Sequence, residues 1–258
     1  MRLMKRILSA AAVLALSASL LVVCSSGTAS SVPVSASSAA ESTVSSVAET
    51  ASSAVDETEA AAAQLLNDLT GSYQELWPVI LADEYKQTWL DDCTALVGED
   101  NAEAAFEKLS SMVTGDVYGE DAVKAYANGG GAYFCGFTNS LAILTFDGET
   151  STISGTDKDG NVLFSHTYHY IGMEPVRGLY EFQSDDADSG EFTYFFLAPD
   201  TSAETYHIEF RYGSDAEALS QYDAGEYAYW VASGISTDCD QTMIDNCIEL
   251  FCTENLAG

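Results

Sequence analysis

The hydrophobic period of this chain switches from helical to alternating midway, and that switch limits what it can fold into. Up to Gly129-Gly130-Gly131 the apolar residues recur at helical spacing, and beyond it they alternate. Three consecutive glycines favour a turn and disfavour a helix interior, so they mark the boundary. On the helical side, Asp56-Glu57-Thr58-Glu59 has capping-box spacing ahead of the helix formers Ala60 to Leu66. Gly71 to Ile80 carries aromatic and aliphatic anchors at helical spacing. The same period continues through Tyr85 to Leu96, Ala102 to Met112 and Asp121 to Tyr126.

Beyond the glycines, seven short segments read as strands: Ala132 to Gly136, Leu141 to Phe146, Ser151 to Gly155, Val162 to Ile171, Gly178 to Gln183, Phe192 to Leu197 and His207 to Tyr212. Turn signals such as Asp147-Gly148 and Lys158-Asp159-Gly160-Asn161 separate them. A succession of short antiparallel strands predicts a meander closing into a small barrel or a strongly curved sheet. A last helix is expected from Asp240 to Thr253, with Met243, Ile244, Cys247, Ile248 and Phe251 as its apolar stripe.

The start of the chain sets the expected compartment. Arg2, Lys5 and Arg6 precede the apolar run Ile7 to Val23, which reads as a signal peptide over residues 1–24. Its end, Leu21-Val22-Val23-Cys24-Ser25-Ser26, resembles a bacterial lipobox with Cys24 as the lipidated residue, although Val23 stands where a small residue is usual. Residues 25–55 are almost entirely Ser, Thr, Ala and Val, with no aromatic or basic residue. Such a segment cannot bury enough apolar surface to offset the entropy of ordering it, so it reads as a tether. The expected product is an extracytoplasmic lipoprotein held to a bacterial cell membrane by its lipid, with a secreted protein as the alternative. Residues 56–258 are enough for one domain with a sizeable core.

Charge excludes one class of partner. The chain has 40 Asp+Glu against 9 Lys+Arg, a formal net charge of −31. A surface this acidic repels phosphate backbones, which argues against nucleic-acid binding. Five cysteines follow Cys24: Cys93, Cys135, Cys239, Cys247 and Cys252. An odd number leaves at least one thiol unpaired within the chain, and none has C-x-x-C spacing. Burial as small hydrophobes is their expected role. No G-x-S-x-G or other nucleophile motif is present, and no acid/base pair stands out among so many carboxylates, so no enzymatic activity is assigned.

The pair that draws attention is His207 and Glu209. Two residues apart on a strand, they project from one face and can converge on one ion or polar ligand. The other histidines, His166 and His169, fall on opposite faces of a single strand and read as exposed or core-edge side chains. Arg177 and Arg211 are expected to pair with acidic neighbours. Trp77, Trp89 and Trp230 are expected in the core.

Several of these stretches together resemble the ZinT (YodA-like) family of exported zinc-recruitment proteins. Gly71 to Ile80 is similar to the family's entry helix, Val176 to Phe182 to its central strand, and His207 to Asp215 to its H-x-H strand. The closing helix also fits in place, so the resemblance spans roughly residues 60–255. It implies a calycin, or lipocalin-like, barrel: a β-rich α+β fold with an N-terminal helical segment and a C-terminal helix. It further implies a zinc site of three histidines, two of which map onto His207 and Glu209. For the remaining one, counting back from Ala198-Pro199 reaches Phe195, which has no ligand atom, whereas counting forward along Phe192-Thr193-Tyr194 reaches Asp200. The implied cargo is Zn2+ or another divalent cation, bound for recruitment, buffering or delivery to a zinc importer or its binding protein. A site of one histidine and carboxylates is expected to be weaker and less selective than a three-histidine site. The alternative is a calycin module that has lost the metal site and binds another small ligand or a cell-surface partner.

Overall fold

A computed structural model describes residues 57–199 and 207–256. The expected signal peptide with Cys24, the expected tether, the expected capping residue Asp56 and Asp200 lie outside the described residues.

The chain enters through helix α1 (residues 57–68), which leads into strand β1 (Gly71–Glu75). The helices α2 (Leu76–Ile80), α3 (Lys86–Val97), α4 (Glu99–Ser111) and α5 (Glu120–Ala127) follow. Strands β2 (Ile143–Asp147), β3 (Thr152–Thr156), β4 (Val162–Met173), β5 (Tyr180–Ser184), β6 (Tyr194–Leu197), β7 (His207–Gly213) and β8 (Ala232–Ser236) complete a closed barrel. A short helix α6 (Ala216–Leu219) lies between β7 and β8, and α7 (Gln241–Leu256) follows the last strand. Every neighbouring pair is antiparallel, and β8 returns to β1 with Gln74 opposite Ile235. Closure leaves no unpaired sheet edge. This is the calycin-like architecture expected from the sequence.

Two apolar clusters hold the fold. One fills the barrel: Phe146, Phe182, Phe195, Phe210 and Tyr212 are all at most 1% exposed. Their rings stack in series, with Phe195 5.4 Å from Tyr212 and Phe210 5.8 Å from Tyr212. Leu65, Leu66 and Leu69, at the end of α1, join this cluster. The other lies outside the barrel, where α2, α3, α4 and α7 pack together and bury Trp77, Trp89, Cys93, Cys247, Ile248 and Cys252 with Ile235 of β8. Trp89 Nε1 donates to the Ile80 carbonyl at 2.7 Å, which satisfies a polar atom in that layer.

Three sequence expectations need correction. Gly71 to Ile80 is not one helix: its first half is β1, and the helix begins at Leu76. The anchors Tyr73, Trp77 and Ile80 are helically spaced, yet Tyr73 is buried in the barrel cluster and Trp77 and Ile80 in the outer one. Ala132 to Gly136 runs extended but belongs to no named strand, making only isolated bridges from Phe134 to Thr114 and Trp230. The eight strands already pair with one another, so no edge is left for it. Side chains fasten it instead: Trp230 Nε1 donates to Gly136 O at 2.9 Å, and Glu75 Oε1 accepts from Phe137 N at 2.6 Å. Lastly, Pro175 to Arg177 forms a turn ahead of β5, with the buried Glu174 carboxylate accepting from the amides of Val176 and Arg177.

Candidate metal site on the outer face of strand β7

Along β7 the alternation is set by the barrel. Ile208, Phe210 and Tyr212 turn inward to the aromatic core, so His207, Glu209 and Arg211 share the outward face. The strand is paired on both sides. On β8, His207 is opposite Ile235 and Glu209 is opposite Ser233. On the β6 side, Ala198 N donates to the Glu209 carbonyl at 2.9 Å.

Helices α2 and α7 cover this outward face. His207 is half-buried, Glu209 is exposed, and both line a cavity of about 70 Å³. Trp77 and Ile80 come from α2, and Cys247, Phe251 and Glu254 from α7. The volume matches an ion with one or two water molecules and is too small for a drug-sized ligand. Glu209 also borders a second cavity of about 160 Å³ with Trp77, Cys135 and Arg177. The strand thus sets an imidazole and a carboxylate over a narrow space, and the closing helix adds a thiol and a second carboxylate.

Electrostatics around the cavity are governed by burial and negative charge. Burial pushes the Cys135 thiol up from 9.0 to about 12, with the Glu209 carboxylate contributing. Cys247 is likewise raised to about 12, first by burial and then by Cys239, Glu209 and Glu254. Both thiols are therefore protonated at neutral pH, and a thiolate ligand would form only where a cation displaced the proton.

His207 and Glu209 are brought together as expected, on one face of one strand. Asp200 lies outside the described residues. Phe195 is fully buried in the barrel interior, consistent with a packing role. Among the described residues no three His, Cys, Asp or Glu side chains are gathered closely enough to hold a metal ion. Cys247 and Glu254 were not singled out as cavity residues from the sequence. Cys247 belongs to the apolar stripe that reads as a core face, and only the placement of α7 over β7 brings it and Glu254 to this cavity.

The remaining histidines and the two arginines singled out from the sequence make structural contacts. His166 Nδ1 lies 2.6 Å from Asp186, and His169 Nδ1 lies 2.6 Å from Asp185. Arg211 departs from expectation: its buried guanidinium donates to the carbonyls of Leu219, Gln221 and Tyr227, with no carboxylate of the described residues in direct contact. Arg177 stacks on Tyr222 and donates to Tyr133 Oη at 3.4 Å.

The solved structures similar to this chain include two from one organism. The Zn(II)-bound ZinT-like domain of Streptococcus pneumoniae AdcA shares 15% identity at a TM-score of 0.45, over 71% of this chain and 89% of that one. Zn(II)-bound AdcA from the same organism shares 16% identity at a TM-score of 0.42, over 72% of this chain and 35% of that one. The match thus spans about a third of the second protein's length. No protein-family model and no curated protein sequence matches the chain.

Proposed function

We propose that this protein is a lipid-anchored, extracytoplasmic binder of zinc or a similar divalent cation, which it recruits, buffers or delivers to an importer. One observation carries the reading: His207 and Glu209 share the outward face of β7 over a cavity of about 70 Å³. Imidazole nitrogen and carboxylate oxygen are both accepted zinc ligands, and a −31 chain attracts cations to such a mouth. Asp200 is the proposed third ligand and water the fourth. The sequence resemblance to the zinc-recruitment family supplies the choice of zinc. No chemical step is required of the protein. A ligand held inside the barrel is disfavoured, because stacked aromatic side chains fill the interior.

The site is tested by competition with a chromophoric zinc chelator. Glu209→Gln keeps the side-chain volume and removes the charge, and it is expected to weaken zinc binding at least tenfold. Equal affinity in both proteins would refute the assignment. The anchor is tested separately by labelling cells with a radioactive fatty acid. Incorporation should be lost in Cys24→Ala, and retention of label in that variant would rule out Cys24 as the attachment point.

A further inference from the structure

Cys93 on α3 and Cys252 on α7 are both fully buried, and their sulfur atoms face each other at 3.9 Å. The two positions are 159 residues apart in sequence. The helices that carry them pack directly on each other, so the approach follows from the helical layer itself. Around the thiols the layer is apolar, with Trp89 and Phe251 edge-on at 5.9 Å.

We propose that Cys93 and Cys252 form a disulfide that fastens α7, the helix over the His207–Glu209 cavity, to α3. The sulfurs must close by about 2 Å to reach bonding distance, a movement within the range of side-chain rotation and small helix adjustment. The oxidant is an external disulfide of the glutathione type. A thiolate of one cysteine attacks it, one equivalent of glutathione thiol leaves, and a mixed disulfide forms. The second cysteine then displaces the other glutathione, so two protein thiols lose two electrons and two protons, and one external disulfide becomes two thiols. Burial raises both thiols, which keeps the folded pair protonated and slow to exchange. The bond therefore forms readily while α7 is docking and only slowly once the layer has closed. Cys247, five residues from Cys252 on the same helix, lies over the barrel and is left out of the pair. This inference stands independently of metal binding, because it uses none of the proposed ligands.

The test is to unfold the full chain, refold it in a buffer of oxidised and reduced glutathione, quench with acid, alkylate and map the peptides. The expected product is a linked pair of peptides carrying Cys93 and Cys252, with both residues protected from alkylation and released by reductant. The oxidised protein should melt about 10 °C above the reduced one, because so long a loop is closed in its unfolded state. Cys252→Ala should show neither the link nor the shift. Should that variant fail to fold, the oxidised and reduced wild-type proteins still decide the matter. Full alkylation of Cys93 and Cys252 after refolding, or a link between other cysteines such as Cys239 and Cys247, would overturn the proposal.

Discussion

The guanidinium carbon of Arg211 lies 4.3 Å from the centre of the Tyr222 ring, and Arg177 approaches the same ring at the same distance. One aromatic side chain therefore serves two of the few basic residues in an acidic protein. The arrangement ties β7 to the segment that follows α6, because Arg211 also holds the carbonyls of Leu219, Gln221 and Tyr227. It lies two residues beyond Glu209 on the same strand face, so it fixes the end of the strand that presents the candidate ligands.

Replacing Arg211 by Met should therefore cost far more than replacing Arg177. Arg211→Met leaves the buried contacts to the Leu219 and Tyr227 carbonyls without their donor, and each buried unsatisfied group costs on the order of 1–3 kcal/mol. A loss of about 3 kcal/mol or more is expected in guanidinium denaturation. Arg177 is exposed and its stacking is worth about 0.5–1 kcal/mol, so Arg177→Met should stay near that figure. Similar losses in the two variants would contradict the buried role of Arg211.

Stability should fall on the alkaline side. Burial in the fold raises the Cys135 and Cys247 thiols from their ordinary 9.0 to about 12. Between those values the native state holds more protons than the unfolded one, so stability decreases as pH rises. The contribution is complete below pH 9 and is lost progressively toward pH 12. Each thiol adds a slope approaching 1.4 kcal/mol per pH unit in that window. Thermal melts between pH 8 and pH 11 should show the decline, and the double variant Cys135→Ala/Cys247→Ala should make it shallower, the remainder coming from the other buried thiols and tyrosines. An unchanged slope in the double variant would show that the thiols are not its source.

Gly148 is required for reasons other than its turn. A Cβ there would sit 2.4 Å from Asn67 Cα and 2.5 Å from the Leu66 carbonyl, both backbone atoms at the end of α1. The β2–β3 hairpin is therefore pressed onto that helix, and Thr70 Oγ1 accepts from Gly148 N at 3.1 Å. Gly148→Ala should destabilise by about 1–3 kcal/mol, the usual cost of forcing extra volume into a packed contact. A variant as stable as the parent in urea titration would mean that the contact is loose.

Much of this fold can be read from the sequence because alternation survives wherever one strand face meets the core and the other meets solvent. β2 to β7 all begin within two residues of where the alternation places them. β8 was missed. Its residues, Ala232-Ser233-Gly234-Ile235-Ser236, are small and are covered on both faces, by the barrel interior on one side and by α2 on the other. A strand buried twice loses its alternating pattern, and the weak side chains leave no other signal. β1 was hidden for a different reason: a strand running straight into a helix can place anchors four residues apart just as a helix does. At the candidate site, the strand spacing alone put His207 and Glu209 on one face. Cys247 and Glu254 reach the cavity only because α7 folds back over β7, a long-range placement that no local pattern encodes.

The measurement that bears most directly on the proposed function is a calorimetric zinc titration of the protein beside its His207→Ala variant. Moderate salt and excess calcium would occupy the loose carboxylate sites that so acidic a surface must have. A one-to-one transition in the parent that disappears in the variant is the predicted result. Weak, multi-site heats of equal size in both proteins would contradict a specific zinc site at His207 and Glu209.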